Sequence, residues 1–498
     1  MKICFFLHRN FARFGHALAI NLKEKYIIEN FSAYAHLRLA KEILENQNDI
    51  KYEPLLLDED IHKEYKKEKL DYEFLKKLEN DYGLPNLWPY ITTDRTLMYS
   101  ILPREYPSDK PMYSHEEMLR ILQIKAKAVI KLLEETKPDY VFLSFIGATS
   151  SMLLYHIARK MGVKTILIYL PGIKNLLSLT EDYNRLTFSE KIFERIQRGD
   201  YKSPRADEAR KIIDEFRKKP STYHEMNKPQ KNIVHRLKQV KFLLPKNLWK
   251  NFIFLFQMVF KKRDYSEERL DWFLIDRVKR KFRSIIGYND IFENPKENED
   301  FCFFPLNAEP EITLYLYAPF SLNQTETARQ IARSLPVGFK LYVKDHPIMY
   351  GYRTRRFYKK LKKIPNVRVI NSQISGYDLI QKAKLITTIS GTAGWEATVL
   401  KKPVITFGDV FYNKLSMVKN CKTPGKLPYL IKEQLENFKY VEEELLNFLS
   451  AILEESVNID FLDLWLSERD FEKIKNDAGT KKLASLIANK TGLDKQPD

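Results

Sequence analysis

A doubly wound α/β fold built twice, in two successive units, is what this sequence predicts. Strands alternate with helices over 2–169 and again over 301–407, and glycines stand at the strand-to-helix turns of both stretches. The 498 residues also exceed what one ordinary core supports. Residues 2–7 read as a short buried strand ending in the polar turn His8-Arg9-Asn10. A helix over 116–136, a strand over 140–145, a helix over 150–161 and a strand over 164–169 complete a βαβ unit, with Gly147 at a strand-to-helix turn and Gly162 past a helix end.

From about 171 to 288 the strand rhythm is lost, and the chain becomes helical and charged. We therefore expect an N-terminal Rossmann-like domain over 1–190, a basic helical insertion over 191–290, and a second Rossmann-like domain over 291–425. C-terminal helices and a frayed polar tail should fill 426–498. In the second domain the expected strands are 301–305, 315–318, 340–343, 367–370, 385–389 and 403–407. The expected helices are 325–335, 354–363, 377–382 and 394–400.

Composition excludes several classes. Hydrophobic residues at 44% and charged residues at 30% describe a globular chain. The apolar run before His8 is too short for a signal-peptide core, and 252–260, interrupted by Gln257, is too short to span a bilayer. A cytoplasmic location follows as an expectation. Cys4, Cys302 and Cys421 lie far apart without metal-ligand spacing, which fits a reducing compartment and no structural zinc. The net charge is +18, and 228–263 holds ten Lys/Arg with no Asp or Glu. Aromatic residues at Trp249, Phe252, Phe254, Phe256 and Phe260 stand among those cations, either as an anchor on an anionic membrane or as a helix face turned into a core. No nucleic-acid-binding module accompanies the charge, so nucleic acid is not expected as a partner.

Three motifs can carry chemistry. Thr388-Ile389-Ser390-Gly391-Thr392-Ala393-Gly394-Trp395-Glu396 ends a strand and opens a helix. Its glycines leave room for a phosphate, the Ser390 and Thr392 hydroxyls can donate, and Glu396 could accept from ribose hydroxyls. The same residues would also serve as a plain helix cap. Lys344-Asp345-His346-Pro347 follows a strand, which presents His346 where ligands of open α/β sheets bind. Glu309-Pro310-Glu311 sets two carboxylates around a proline after another strand, as an acid, base or nucleophile or as a solvated turn.

In order, Pro305-Leu306, Pro310-Glu311, Gln324, Leu335-Pro336, Val343-Lys344-Asp345-His346-Pro347, Gly351-x-Arg353, Ile364-Pro365-Asn366-Val367, Asp378-Leu379-Ile380, Gly391-Thr392-Ala393-Gly394-Trp395-Glu396-Ala397 and Lys402-Pro403-Val404 form a series. This series resembles the capsule polysaccharide biosynthesis family, which includes the bacterial Kdo transferases. The match is close over 301–412 and loose before it. The resemblance implies a GT-B fold, with two Rossmann-like domains facing a cleft, and metal-independent transfer from a nucleotide sugar, CMP-Kdo in the best-understood members. Many relatives carry Gln-Pro-Glu where this chain has Glu309-Pro310-Glu311.

The resulting expectation is a glycosyltransferase that passes a sugar to a lipid-linked or saccharide acceptor in capsule or surface polysaccharide biosynthesis, peripheral to the inner face of the cell membrane. Glu311 and His346 would be catalytic. Lys344, Arg353, Ser390, Gly391, Thr392, Gly394 and Glu396 would bind the donor, and His8, Arg9 and Asn10 would lie on the acceptor side. No cofactor or metal is expected, since no Asp-x-Asp follows a strand in the second domain and Asp58-Glu59-Asp60 lies far from the donor motifs. The alternatives are a sugar-nucleotide 2-epimerase or a glycerophosphate polymerase of related fold, or a non-catalytic scaffold of capsule assembly.

Overall fold

The computed structural model describes residues 1–99, 111–218, 249–250, 252–253, 256, 264–266, 270–460 and 471–493. Contacts divide the chain into two units. The first holds a seven-stranded sheet and the second a six-stranded sheet.

The first sheet is built from β1 (Lys2–Leu7), β2 (Asn30–Ala35), β3 (Tyr52–Leu57), β4 (Tyr140–Leu143), β5 (Lys164–Tyr169) and β6 (Leu176–Thr180). Their order is β3-β2-β1-β4-β5-β6, and all neighbours are parallel except β5 and β6. The second sheet uses β7 (Phe301–Pro305), β8 (Lys340–Lys344), β9 (Val367–Ile370), β10 (Leu385–Thr388), β11 (Val404–Thr406) and β12 (Val418–Asn420). It repeats the order as β9-β8-β7-β10-β11-β12, all parallel. Each is the doubly wound 3-2-1-4-5-6 arrangement, with the order reversing between β1 and β4 and between β7 and β10. Strands covered on both faces read as continuous apolar runs, which explains why β1 and β7 are legible as strands without alternation.

Three expectations need correction. Residues 315–318 are not a strand but the end of the helix Ile312–Tyr317, because Leu314 and Ala318, four apart, both pack into the core of the second unit. The stretch after 171 is not wholly helical, since β6 lies in it, antiparallel to β5.

Nor do residues 426–498 form a separate appendage. Helices up to Leu446 belong to the second unit, while residues from Asn447 join the first. There β13 (Ser456–Asn458) pairs antiparallel with β6 at the sheet edge. The helix Ala478–Thr491 buries Leu483, Ala484, Ile487 and Ala488 in the same core as the helix Phe11–Lys23. The polar surface of that helix hides its apolar stripe from a composition reading. Much of the basic stretch 228–263 lies outside the described residues. Among its described members, Trp249, Phe252, Ile253 and Phe256 are all exposed, and the Trp249 and Phe252 rings stack 5.7 Å apart.

Candidate functional site

Where the strand order reverses, segments leaving β7 and β10 pass to opposite faces of the sheet, so a crevice opens at their carboxyl ends. The polar motifs of the second unit converge there. Asn307, just past β7, donates from Nδ2 to Ser390 Oγ at 3.2 Å and so ties the two sides together. The glycine loop is fixed from below: Gly391 N–H donates to Thr388 Oγ1 at 3.2 Å, and Tyr412 O–H donates to the Gly391 carbonyl at 2.6 Å. A Cβ on Gly394 would stand 2.4 Å from the Tyr412 hydroxyl oxygen. That glycine is therefore required by packing against Tyr412, a residue that the sequence did not flag.

The cluster under the loop after β7 is denser than expected. Arg353 is 1% exposed, and its guanidinium lies 3.0 Å from Asp345 and 3.3 Å from Glu309 while donating to the Asn307 carbonyl at 2.7 Å. The Tyr358 hydroxyl donates to Asp345, the Gln324 amide donates to Glu309, and Asn307 N–H donates to Gln324 Oε1 at 2.8 Å. Arg353 was expected to hold the donor; it is instead buried within this cluster, stacked 4.6 Å from the Phe357 ring, and positions the loop. The carboxylate that goes deepest is Glu309, not Glu311. One guanidinium faces two buried carboxylates. Burial pushes Glu309 up to about 7 against the pull of Arg353, and burial raises Asp345 as well.

Glu311 is only half-buried and precedes the helix Ile312–Tyr317. Burial raises its carboxyl, with Thr313 and Asn307 pulling the other way. His346 follows β8, and its Nδ1 accepts from Ile348 N–H at 3.3 Å, which leaves Nε2 to carry the proton of the neutral ring. Burial, helped by the Lys344 and Arg353 charges, lowers it to about 4, so His346 is neutral at pH 7 and acts as an N–H donor. Lys344 is itself buried, and that burial lowers it to about 8. Glu396 is raised to about 7, chiefly by burial, with Thr392 and Lys344 opposing. The arrangement offers one ammonium, one neutral imidazole N–H, the Ser390 and Thr392 hydroxyls and a carboxylate around a glycine loop, which suits a phosphate-bearing ligand.

The first unit has its own reversal point, between β1 and β4. His8 follows β1, donates from its backbone N–H to Ser144 Oγ at 3.3 Å, and stacks 4.9 Å from Phe145. Its Nδ1 lies 2.7 Å from Nδ1 of His36, whose Nε2 is 3.8 Å from Asp58. Asp58 also takes Lys125 Nζ at 2.8 Å and the Tyr34 hydroxyl at 2.6 Å. Lys125 and His36 hold the Asp58 carboxyl well below the usual range despite its burial, and burial foremost keeps His8 neutral. Arg9 adopts a left-handed φ of 48°, and Asn10 Oδ1 accepts from Arg13 at 3.4 Å. His36, Tyr34 and Lys125 escaped the sequence reading, and Asp58 was noted only for its distance from the donor motifs, because β2 and β3 were not recognised and no motif joins residues so far apart.

The family described as "Capsule polysaccharide biosynthesis protein" matches residues 262–420. Protein FixF of Sinorhizobium fredii is 28% identical over 169 residues, 33% of this chain, and the chain spans only 38% of that protein's length. Among solved structures, KpsC of Thermosulfurimonas dismutans, described as a beta Kdo 2,7 transferase, aligns at 12% identity and TM-score 0.37 over 78% of this chain and 94% of its own. The UDP-GlcNAc 2-epimerase of Methanocaldococcus jannaschii aligns at 14% identity and TM-score 0.25, over 91% and 99%. At TM-scores this low the fold assignment rests on the chain's own strand order. Residues 262–420, which carry the β7/β10 crevice, His346 and the glycine loop, are thus the part of the chain that is similar to the capsule polysaccharide biosynthesis family.

Proposed function

We propose that the chain is a glycosyltransferase of capsule or surface polysaccharide biosynthesis, with a nucleotide-sugar donor held in the β7/β10 crevice. The observation that carries this reading is the convergence of Lys344, neutral His346 and the Ser390–Thr392 loop where the strand order reverses. In this reading His346 Nε2–H and the Lys344 ammonium hydrogen-bond the departing nucleotide phosphate, the Ser390 and Thr392 hydroxyls donate to it, and Glu396 takes a ribose hydroxyl. Glu311, less enclosed than Glu309, serves as the acid, base or nucleophile. Protein groups supply the positive charge, so transfer needs no divalent metal and survives EDTA. Kdo from CMP-Kdo is the first sugar to test.

The acceptor is a saccharide or lipid-linked saccharide met by His8, Arg9 and Asn10. Peripheral binding to an anionic membrane draws support from the exposed Trp249, Phe252 and Phe256. Further support comes from Val278 and Phe282, also exposed, on the helix Leu270–Ile286, where Arg277, Lys279 and Lys281 intervene. Thermal-shift titration with CMP, UDP, GDP and CDP tests the donor site. One nucleotide should raise the melting temperature with a saturable dose dependence, and no response to any of them would remove the basis of the reading.

A further inference from the structure

Away from the crevice, the second unit carries a groove of about 1120 Å³ between the helices Gln324–Ser334 and Arg355–Lys362. Its charged lining is all cationic: Arg329 and Arg333 from one helix, Arg356 and Lys360 from the other, then Lys363. Arg329 pairs with Glu326, whereas Arg333, Arg356, Lys360 and Lys363 form no ion pair among the described residues, and these four are exposed. Uncompensated cations gathered along a concave wall repel one another, a cost that an anionic ligand relieves. Asn323, Arg353, Pro365 and Asn366 also line it. With 11 residues in its longer helix it extends roughly 16 Å. Within this lining the buried Arg353 has an Nε–H with no hydrogen-bond partner.

We propose that this groove binds an anionic saccharide chain, with carboxylates spaced along it meeting successive Lys and Arg side chains. The proposal rests on the sugar-transfer reading for its choice of polymer, and on the groove alone for its charge. The lining disfavours other polyanions. Phe357, the one aromatic among the described lining residues, is 9% exposed and stacked against Arg353, so it offers a nucleobase no open platform. The wall is concave, and its exposed side chains Arg333, Arg356, Lys360 and Lys363 are charged, so it offers no flat apolar face to a bilayer.

Fluorescence anisotropy with a labelled α2,8-linked sialic acid oligomer tests this, alongside a neutral dextran oligomer and an oligothymidylate of equal charge. The full chain should bind the sialic acid oligomer in a salt-sensitive manner and ignore dextran. Arg333→Glu with Lys360→Glu should weaken binding about tenfold or more, and Arg333→Gln with Lys360→Gln should weaken it less. The same charge reversal placed elsewhere, Lys481→Glu with Lys482→Glu, should change it less than about twofold. Undiminished binding in both groove variants, an equal loss in the distant variant, or equally tight groove-dependent binding of oligothymidylate would overturn the proposal. Nucleotide affinity, measured on the same samples, separates the two claims: loss of glycan binding with intact nucleotide binding speaks to the groove alone.

Discussion

His346 and Glu311 are the residues on which chemistry depends. A ring kept neutral by burial can donate from Nε2 at any pH above about 4, because Nδ1 is already engaged by Ile348 N–H. His346→Ala and Glu311→Gln should each lower turnover by about a hundredfold or more, the scale of a lost positioned proton-transfer or charge-stabilising group, with unchanged melting temperature. A fully active Glu311→Gln enzyme would move the chemistry to another carboxylate. Glu309 makes a different forecast. Its folded pKa is raised from 4.5 to about 7, so the folded state holds the proton longer than the unfolded chain does. The associated stability is complete below pH 4.5 and disappears as pH rises to about 7, a loss of up to roughly 3 kcal/mol. Glu309→Gln should remove that slope from urea unfolding curves recorded at pH 4.5 and 7; an identical pH dependence in both proteins would show that Glu309 does not carry it.

At the scale of elements, legibility followed locality. β7, β8 and β10 each stand beside a polar motif in sequence, so the strand ends that form the crevice could be read from residues only a few positions apart. Arg353 was read as a ligand because the sequence shows a cation near His346 but not the two carboxylates that enclose it. β2, β6 and β13 lack such neighbours. β13 and the helix Ala478–Thr491 complete a core whose other parts lie hundreds of residues earlier, which no periodicity reveals. Together with Val457, Ile459 and Ile474, the buried Leu483, Ile487 and Leu493 of this segment contribute on the order of 9 kcal/mol of apolar burial, comparable to a whole domain's net stability. Ending the chain at 446 should therefore leave the first unit unfolded, seen as loss of a cooperative transition in circular dichroism; an unchanged transition would mean that the segment is dispensable.

For the molecule as a whole, the repeated 3-2-1-4-5-6 order puts a reversal point in each unit, one lined by His8 and His36 and the other by His346 and the glycine loop. The net charge of +18 gives the whole surface a bias toward anionic partners. Co-sedimentation with anionic liposomes should occur at low salt and fade at high salt, whereas absence of binding at low salt would remove the membrane-anchor reading of the aromatic run near Trp249. The central claim is that the β7/β10 crevice holds a nucleotide. Isothermal titration of the nucleotide that stabilises the chain, against the native protein and Gly391→Val, tests it most directly. An added Cβ at Gly391 already stands 3.0 Å from Thr388 Oγ1, and the larger valine side chain would crowd the loop next to Asn307. Loss of affinity by about a hundredfold or more in a variant with native melting behaviour is the predicted result; unchanged affinity in that folded variant would place the nucleotide elsewhere and contradict the account.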